Sequence, residues 1–101
     1  MSVVDRECKH WIPDFRQLRA FVAVADEGSF TQAAKRMLVT QSAVSHSLRT
    51  LENQLGCKLL DRSGKRVVTT PEGDLLLLRC RKLLHELDQV SMDFENIRRW
   101  G

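Results

Sequence analysis

The sequence predicts a mainly α fold: three short helices, a small β-hairpin and one long C-terminal helix. Three observations predict it. Residues 33–55 read as two helices about a tight turn, the second with an apolar stripe at Val44, Leu48, Leu51 and Leu55 and a polar opposite face. Two β-prone pieces flank a Gly-centred connection at Ser63, Gly64 and Lys65. Beyond Pro71 the only helix breaker before Trp100 is Gly73, and apolar residues recur every seven positions.

The elements follow in order. Residues 1–13 have no clear period and end at Pro13, so they read as an arm of unassigned role. Asp14 is placed to cap a first helix whose Phe15, Leu18, Phe21, Val22 and Ala25 share one face, and Gly28 ends it. Ser29 caps a second helix over about residues 30–37, with Phe30, Ala33, Ala34 and Met37 inward. After a turn at Leu38 and Val39, Thr40 caps the third helix, which runs to Leu55 and stops at Gly56. Strands are expected at residues 58–61 and 66–69, a wing with a basic tip. So short a pair is marginal alone and must lean on the helices. Thr70 and Pro71 restart a helix, with Pro at the first position, where a missing N–H costs nothing.

A helix of about thirty residues exceeds what so small a core requires. Leu76, Leu83, Val90 and Ile97 form one heptad series, and Cys80, Leu87 and Phe94 a second, which together make an a/d seam over about three heptads. The seam predicts self-association, with the helices either parallel or antiparallel. Leu75, Leu77 and Leu78 broaden the stripe at its start, where the helix should lie against the compact domain. The expected division is an arm at 1–13, a compact unit at 14–70 and a linker helix at 71–101.

Composition narrows the function classes. A chain of 101 residues holds one small domain and leaves little room for a catalytic cleft. With 43% hydrophobic and 29% charged residues it fits a folded soluble protein, and no apolar run approaches the roughly 20 residues a bilayer needs. The opening residues lack the apolar stretch of a signal peptide, so a cytoplasmic location is expected. Cys8, Cys57 and Cys80 are scattered, without metal-ligand or disulfide spacing, and predict reduced thiols with no metal and no cofactor.

The formal charge of +3 is mild, but its distribution is uneven. Residues 14–73 carry nine Lys or Arg against six Asp or Glu, while residues 74–101 carry five of each. Lys58, Arg62, Lys65 and Arg66 cluster against Asp61 alone. On the third helix, Gln41, Ser42, Ser45, His46 and Arg49 share the outer polar face, as in a helix that enters a DNA groove.

Several fragments, in order and at matching spacing, carry a family likeness: Phe21, Val22, Ala23, Val24; Gly28, Ser29, Phe30, Thr31; Ala33, Ala34; Thr40, Gln41, Ser42, Ala43, Val44, Ser45; Leu51, Glu52; Leu55, Gly56; Leu59, Leu60, Arg62; and Thr70, Pro71, Glu72, Gly73. The chain strongly resembles the N-terminal DNA-binding domain of LysR-type transcriptional regulators from Asp14 to about Ile97. The resemblance implies a winged helix-turn-helix followed by a linker helix that pairs, antiparallel, with that of a second subunit. It implies an approximately palindromic double-stranded DNA site, bound by a homodimer or, in a longer protein, a tetramer. Gln41, Ser42, Ala43, Ser45 and His46 would read bases, with Arg49 a turn further on. Thr31 and Gln32, with Lys65 and Arg66 of the wing, would hold phosphates or reach the minor groove. Ser42 and His46 stand where the family often has Pro and Arg, and Leu60 where Phe is usual. Neutral imidazole cannot give the bidentate contact that Arg gives to guanine, so no guanine preference follows. Family members continue into an effector-binding domain that senses a small-molecule inducer; this chain is expected to be the DNA-binding portion without it.

Two other classes compete. A helical protein-interaction adaptor would use the long helix but would have no need of Lys65 and Arg66. An enzyme fits poorly: Ser45 and His46 diverge by about 100° on a helix, and His10 and His85 lack an acid partner in the sequence pattern. Trp11 and Trp100 fall outside the repeats and read as packing residues.

Overall fold

Helix α1 (Phe15–Glu27) begins where Asp14 accepts the backbone N–H of Arg16 at 2.9 Å, and it forms the centre of the computed structural model. The structure describes residues 14–100. The arm, with Cys8, His10 and Trp11, and the terminal Gly101 lie outside the described residues. Helices α2 (Phe30–Met37) and α3 (Gln41–Leu55) pack on α1, a two-stranded antiparallel sheet of β1 (Leu60–Asp61) and β2 (Val68–Thr69) follows, and α4 (Pro71–Trp100) completes the chain. This is a winged helix-turn-helix with a long terminal helix.

The sequence-predicted caps form. Ser29 Oγ accepts from Gln32 N at 3.1 Å, Thr40 Oγ1 from Ala43 N at 3.1 Å, and Thr70 Oγ1 from Gly73 N at 3.0 Å. Each satisfies one of the amide groups that a helix start leaves unpaired. The turn between α2 and α3 places Leu38 in the left-handed region at φ 60°, with its side chain 90% exposed. That conformation costs a non-glycine residue about 1–2 kcal/mol, and packing of the two flanking helices must hold it.

The core is wider around α1 than a single stripe. Leu18 and all of residues 20–24 are buried, because α2, α3 and α4 each cover part of this helix. Phe15, expected inward, is 41% exposed at the open first turn. From α3 the core receives Val44, Leu48 and Leu51, as the apolar spacing predicts.

The wing is shorter than expected. The ladder pairs only Leu60 with Thr69 and Asp61 with Val68, rather than spanning 58–61 and 66–69. The flanking backbone groups are taken elsewhere. The buried Glu52 carboxylate of α3 accepts Leu59 N at 2.8 Å and Leu60 N at 3.3 Å, and Val67 N donates to Gly28 O at 3.0 Å. Thr70 closes the other side, its N–H on Leu59 O at 3.0 Å and its hydroxyl on Lys58 O at 2.7 Å.

Helix α4 has two halves with different surroundings. Its first turns press directly on the wing strand: a Cβ added to Gly73 would stand 2.1 Å from Leu59 O. Cys80 and Leu84 are buried in the core, and Leu76 and Leu77 pack against it. One expected association residue is taken by the core and a second is shared with it. Cys80, expected in the heptad seam, has no exposed surface to offer a partner, and Leu76 is half-buried in the same internal contact. The inward stripe runs through Gly73, Leu77, Cys80 and Leu84, at helical spacing that the heptad pattern overlaps. Burial pushes the Cys80 thiol up to about 11, which suits a core residue and not a reactive one. Leu75 and Leu78, expected to rest on the domain, are 60% and 54% exposed. From Leu83 onward the other side of the helix leaves Leu83, Leu87, Val90, Phe94 and Ile97 exposed on the described chain.

Two changes test this packing. Gly73→Ala should destabilise the fold by more than about 2 kcal/mol, because the methyl group meets backbone that cannot swing away. Glu52→Ala should cost roughly 3 kcal/mol by leaving Leu59 N and Leu60 N without their charged acceptor. Urea unfolding followed by circular dichroism measures both; losses below about 0.5 kcal/mol would contradict the packing described.

Candidate nucleic-acid interface

Three surface features meet at one corner: the start of α2, the start of α3 and the wing. Thr31 and Gln32 are exposed in the first turn of α2. The Thr31 hydroxyl donates to Gln41 Oε1 at 3.2 Å, which joins that turn to the first residue of α3. The wing is fastened beside them. Arg62 lies 4.1 Å over the Phe30 ring centroid, a cation–π contact. The Arg66 guanidinium covers Gly28, where an added Cβ would come within 2.5 Å of Nη2. Gly28 is favoured there by its φ of 66°, which other side chains rarely adopt, whereas the guanidinium above it is the movable end of a long side chain.

The expected base-reading residues follow one another along the first turns of α3. Gln41, Ser42 and Arg49 are exposed, and Ser45 is half-buried. Ala43 and His46, also exposed, flank a groove of about 430 Å³ between α3 and the start of α1, shared with Asp14, Arg16 and Gln17. Lys65 projects from the wing connection, whereas Arg66 bends back on Gly28 and so also serves as a packing residue. Sequence reasoning placed both at the tip with one role. The fold separates them.

Ion pairing sorts the cations further. Lys58, counted in the basic cluster, lies 3.9 Å from the Glu52 carboxylate. Arg36 pairs with Asp26 at 3.1 Å and Glu27 at 3.5 Å, Arg81 with Asp26 at 2.7 Å, and Arg19 with Asp88 at 3.7 Å. These contacts tie α2 and α4 to α1. Arg49, Lys65 and Arg66 keep no carboxylate partner among the described residues, and Arg62 has only its aromatic contact. Cations without a carboxylate partner thus stand on the wing and the outer face of α3, and others, Lys35, Arg79, Lys82 and Arg99, stand on α2 and α4 among the described residues.

A family model described as the bacterial regulatory helix-turn-helix protein, lysR family, matches residues 15–74. The chain belongs to the LysR family. It is 49% identical over 78 residues to an uncharacterized HTH-type transcriptional regulator, YfeR, of Shigella flexneri, covering 77% of this chain and 25% of that protein. It is 45% identical over 80 residues to the HTH-type transcriptional regulator BenM of Acinetobacter baylyi, covering 78% of this chain and 26% of BenM. The LysR-type chain thus spans about a quarter of the length of these relatives. Its fold superposes on the BenM domain in complex with catB site 1 DNA with a TM-score of 0.81 and 40% identity, covering 84% of this chain and 96% of that one. The CbnR domain–DNA complex gives 0.74 at 38% identity, covering 84% and 97%. The relatives are transcriptional regulators, not enzymes. No helix among the described residues is long and apolar enough to cross a membrane.

Two residues important to this LysR-type interface escaped the sequence reading. Glu52 belonged to a fragment of the family likeness without a structural role, though its spacing of four from Leu48 and three from Leu55 places it beside the apolar stripe. Arg62 belonged to a motif but had no partner until folding brought Phe30 beneath it.

The Asp26 carboxyl is partly buried, which alone would raise its pKa; the hydrogen bonds from Arg81 and then Arg36 outweigh this and hold it below the ordinary 3.8. A depressed folded value stabilises above the unfolded pKa and loses that stabilisation as pH falls through the folded one. Asp26→Asn should therefore lower stability by about 1 kcal/mol at pH 7, a modest figure because both arginines are half-exposed to screening solvent. The difference from wild type should shrink below pH 3.8, as urea unfolding at pH 7 and pH 3 would show. A difference independent of pH would exclude the ion pairs as its source.

Proposed function

We propose that this chain is the DNA-binding portion of a LysR-type transcriptional regulator and recognises a duplex site without chemistry. The carrying observation is the single corner that joins the polar start of α3, the start of α2 and the wing, with uncompensated cations on it. The likeness to solved domain–DNA complexes across 84% of the chain supports the same reading. In this reading the start of α3 enters the major groove, with Gln41, Ser42, Ala43, Ser45, His46 and Arg49 facing bases. Thr31, Gln32, Lys65 and Arg66 lie toward the backbone or the adjacent minor groove.

The compact unit at 14–70 reads DNA and the linker helix at 71–101 spaces two copies. The apolar side chains that α4 leaves outside the core, Leu83, Leu87, Val90, Phe94 and Ile97, support a homodimer. Such a dimer fits an approximately palindromic promoter site in a bacterial cytoplasm, on the nucleoid. A tetramer and a small-molecule inducer would draw on an effector-binding domain such as the family's longer members carry.

Retention of sheared source DNA at two salt concentrations, followed by sequencing, tests the reading. A shared dyad-symmetric site that survives the higher salt is expected. Gln41→Ala or His46→Ala should relax sequence preference by about 1–3 kcal/mol per lost base contact. Lys65→Ala should weaken all DNA alike and flatten the salt slope by about one. Equal and uniform losses from both kinds of change would refute the division of roles, and binding of the linker helix to another protein with no DNA retained would favour the adaptor.

A further inference from the structure

The groove between α3 and the start of α1 includes a residue whose acceptor is unsatisfied. Gln17 lines it, and Gln17 Oε1 is buried with no hydrogen-bond partner among the described residues. Such an acceptor costs stability unless a donor reaches it. Much of the surrounding wall is apolar: Ala20 and Val44 are buried there, and Met37, Val39 and Ala43 add to it, with Val39 45% exposed. At about 430 Å³ the groove has room for a large side chain. The occupant that fits is an apolar group with an N–H to donate.

The chain carries such a group beside the opening. Asp14 lines the groove, and the backbone runs from it into residues 1–13. Trp11 is the one Phe, Trp or Tyr among those residues. It stands three positions before Asp14, so the two Cα atoms are at most about 11 Å apart however the chain turns. Pro13 has no N–H to offer and biases Ile12 toward extended backbone. An indole has a broad apolar face and a single N–H that donates and does not accept. Its tether gives it a high effective concentration at the groove.

We propose that this groove is the docking site of the chain's own arm, with the Trp11 ring seated between α1 and α3 and its indole N–H on Gln17 Oε1. Ala43 and His46 rim the same groove, so the seated ring braces the start of α3 against α1. Such docking is independent of what α3 binds.

The chain has two tryptophans, and Trp100 is 84% exposed, so Trp100→Phe in the full chain leaves Trp11 as the only indole fluorophore. Its emission should lie to the blue of the same chain in urea and be shielded from acrylamide, and dilution should change neither property. Val39→Asp, which puts a carboxylate into the groove, should shift the emission to the red and restore quenching while helical circular dichroism is kept. Trp11→Ala should lower the thermal midpoint by about 4–8 °C. Trp11→Phe keeps a ring and loses the N–H; it should lower the midpoint less, and less again in a Gln17→Met background, where no acceptor is stranded. Equal losses in the two backgrounds would refute the bond to Gln17. Water-like emission with full quenching in the folded chain would overturn the proposal, as would an unchanged midpoint for Trp11→Ala. A shielded Trp11 that ignores Val39→Asp would place the ring elsewhere and overturn it too. Shielding that fades on dilution would make the occupant the arm of a second copy and exclude docking within one chain.

Discussion

The position of the wing, and through it the closure of the interface, depends on one buried carboxylate. Glu52, on the last turns of α3, is 7% exposed and accepts the N–H groups of Leu59 and Leu60. A carboxylate so enclosed is stable only with strong donors, and two backbone amides supply them in a geometry that leaves the chain little freedom. The chain leaving α3 is thus fixed at the wing's first strand. Leu59 then presents its carbonyl to Thr70, its backbone supports Gly73, and the second strand returns at the register of Leu60 opposite Thr69. A sheet of two residues per strand has almost no stability of its own. It is held because groups on α3, α4 and the α1–α2 corner complete its hydrogen bonding.

From that anchor the wing reaches the other half of the interface through stacking rather than through more ladder. Arg62 on Phe30 and Arg66 on Gly28 tie it to the residues that precede Thr31, and Thr31 in turn reaches Gln41. Two cations of the basic cluster thereby gain packing roles, and a third, Lys58, is partly neutralised by Glu52. Lys65 and Arg49 stay uncommitted. A count of positive residues would have treated them all alike; the contacts show which charges a polyanion could meet without first breaking a fold interaction.

Helix α4 combines two surfaces that in sequence look like one. Its first half is sealed to the domain by Cys80 and Leu84 and tied by Arg81 to Asp26, and just past its midpoint Asp88 pairs with Arg19, so the helix direction is coupled to α1. Its second half carries exposed apolar side chains, Ile97 the most at 67% among the heptad residues. Rigid attachment of the first half means that anything the second half pairs with is held at a defined place relative to α3. A spacer between two reading heads needs that property.

The sequence by itself determined the elements and their ends. Asp14, Ser29, Thr40 and Thr70 cap helices through their own nearby amides, and Gly28 and Gly56 end them in left-handed conformations, all interactions within a few residues. The apolar face of α3 was equally legible, because helical period alone selects Val44, Leu48 and Leu51. Tertiary structure decided whatever depends on partners far along the chain. Heptad spacing could not separate Cys80, which packs inward, from Leu87, which does not, since a helix of thirty residues shows the same period to its own core and to another surface. Likewise β-propensity could not show that Glu52 and Gly28 would take the amides at the ends of the wing ladder. Local chemistry writes helices and turns; the allocation of each buried surface, spare charge and unpaired amide is settled only when distant segments compete for it.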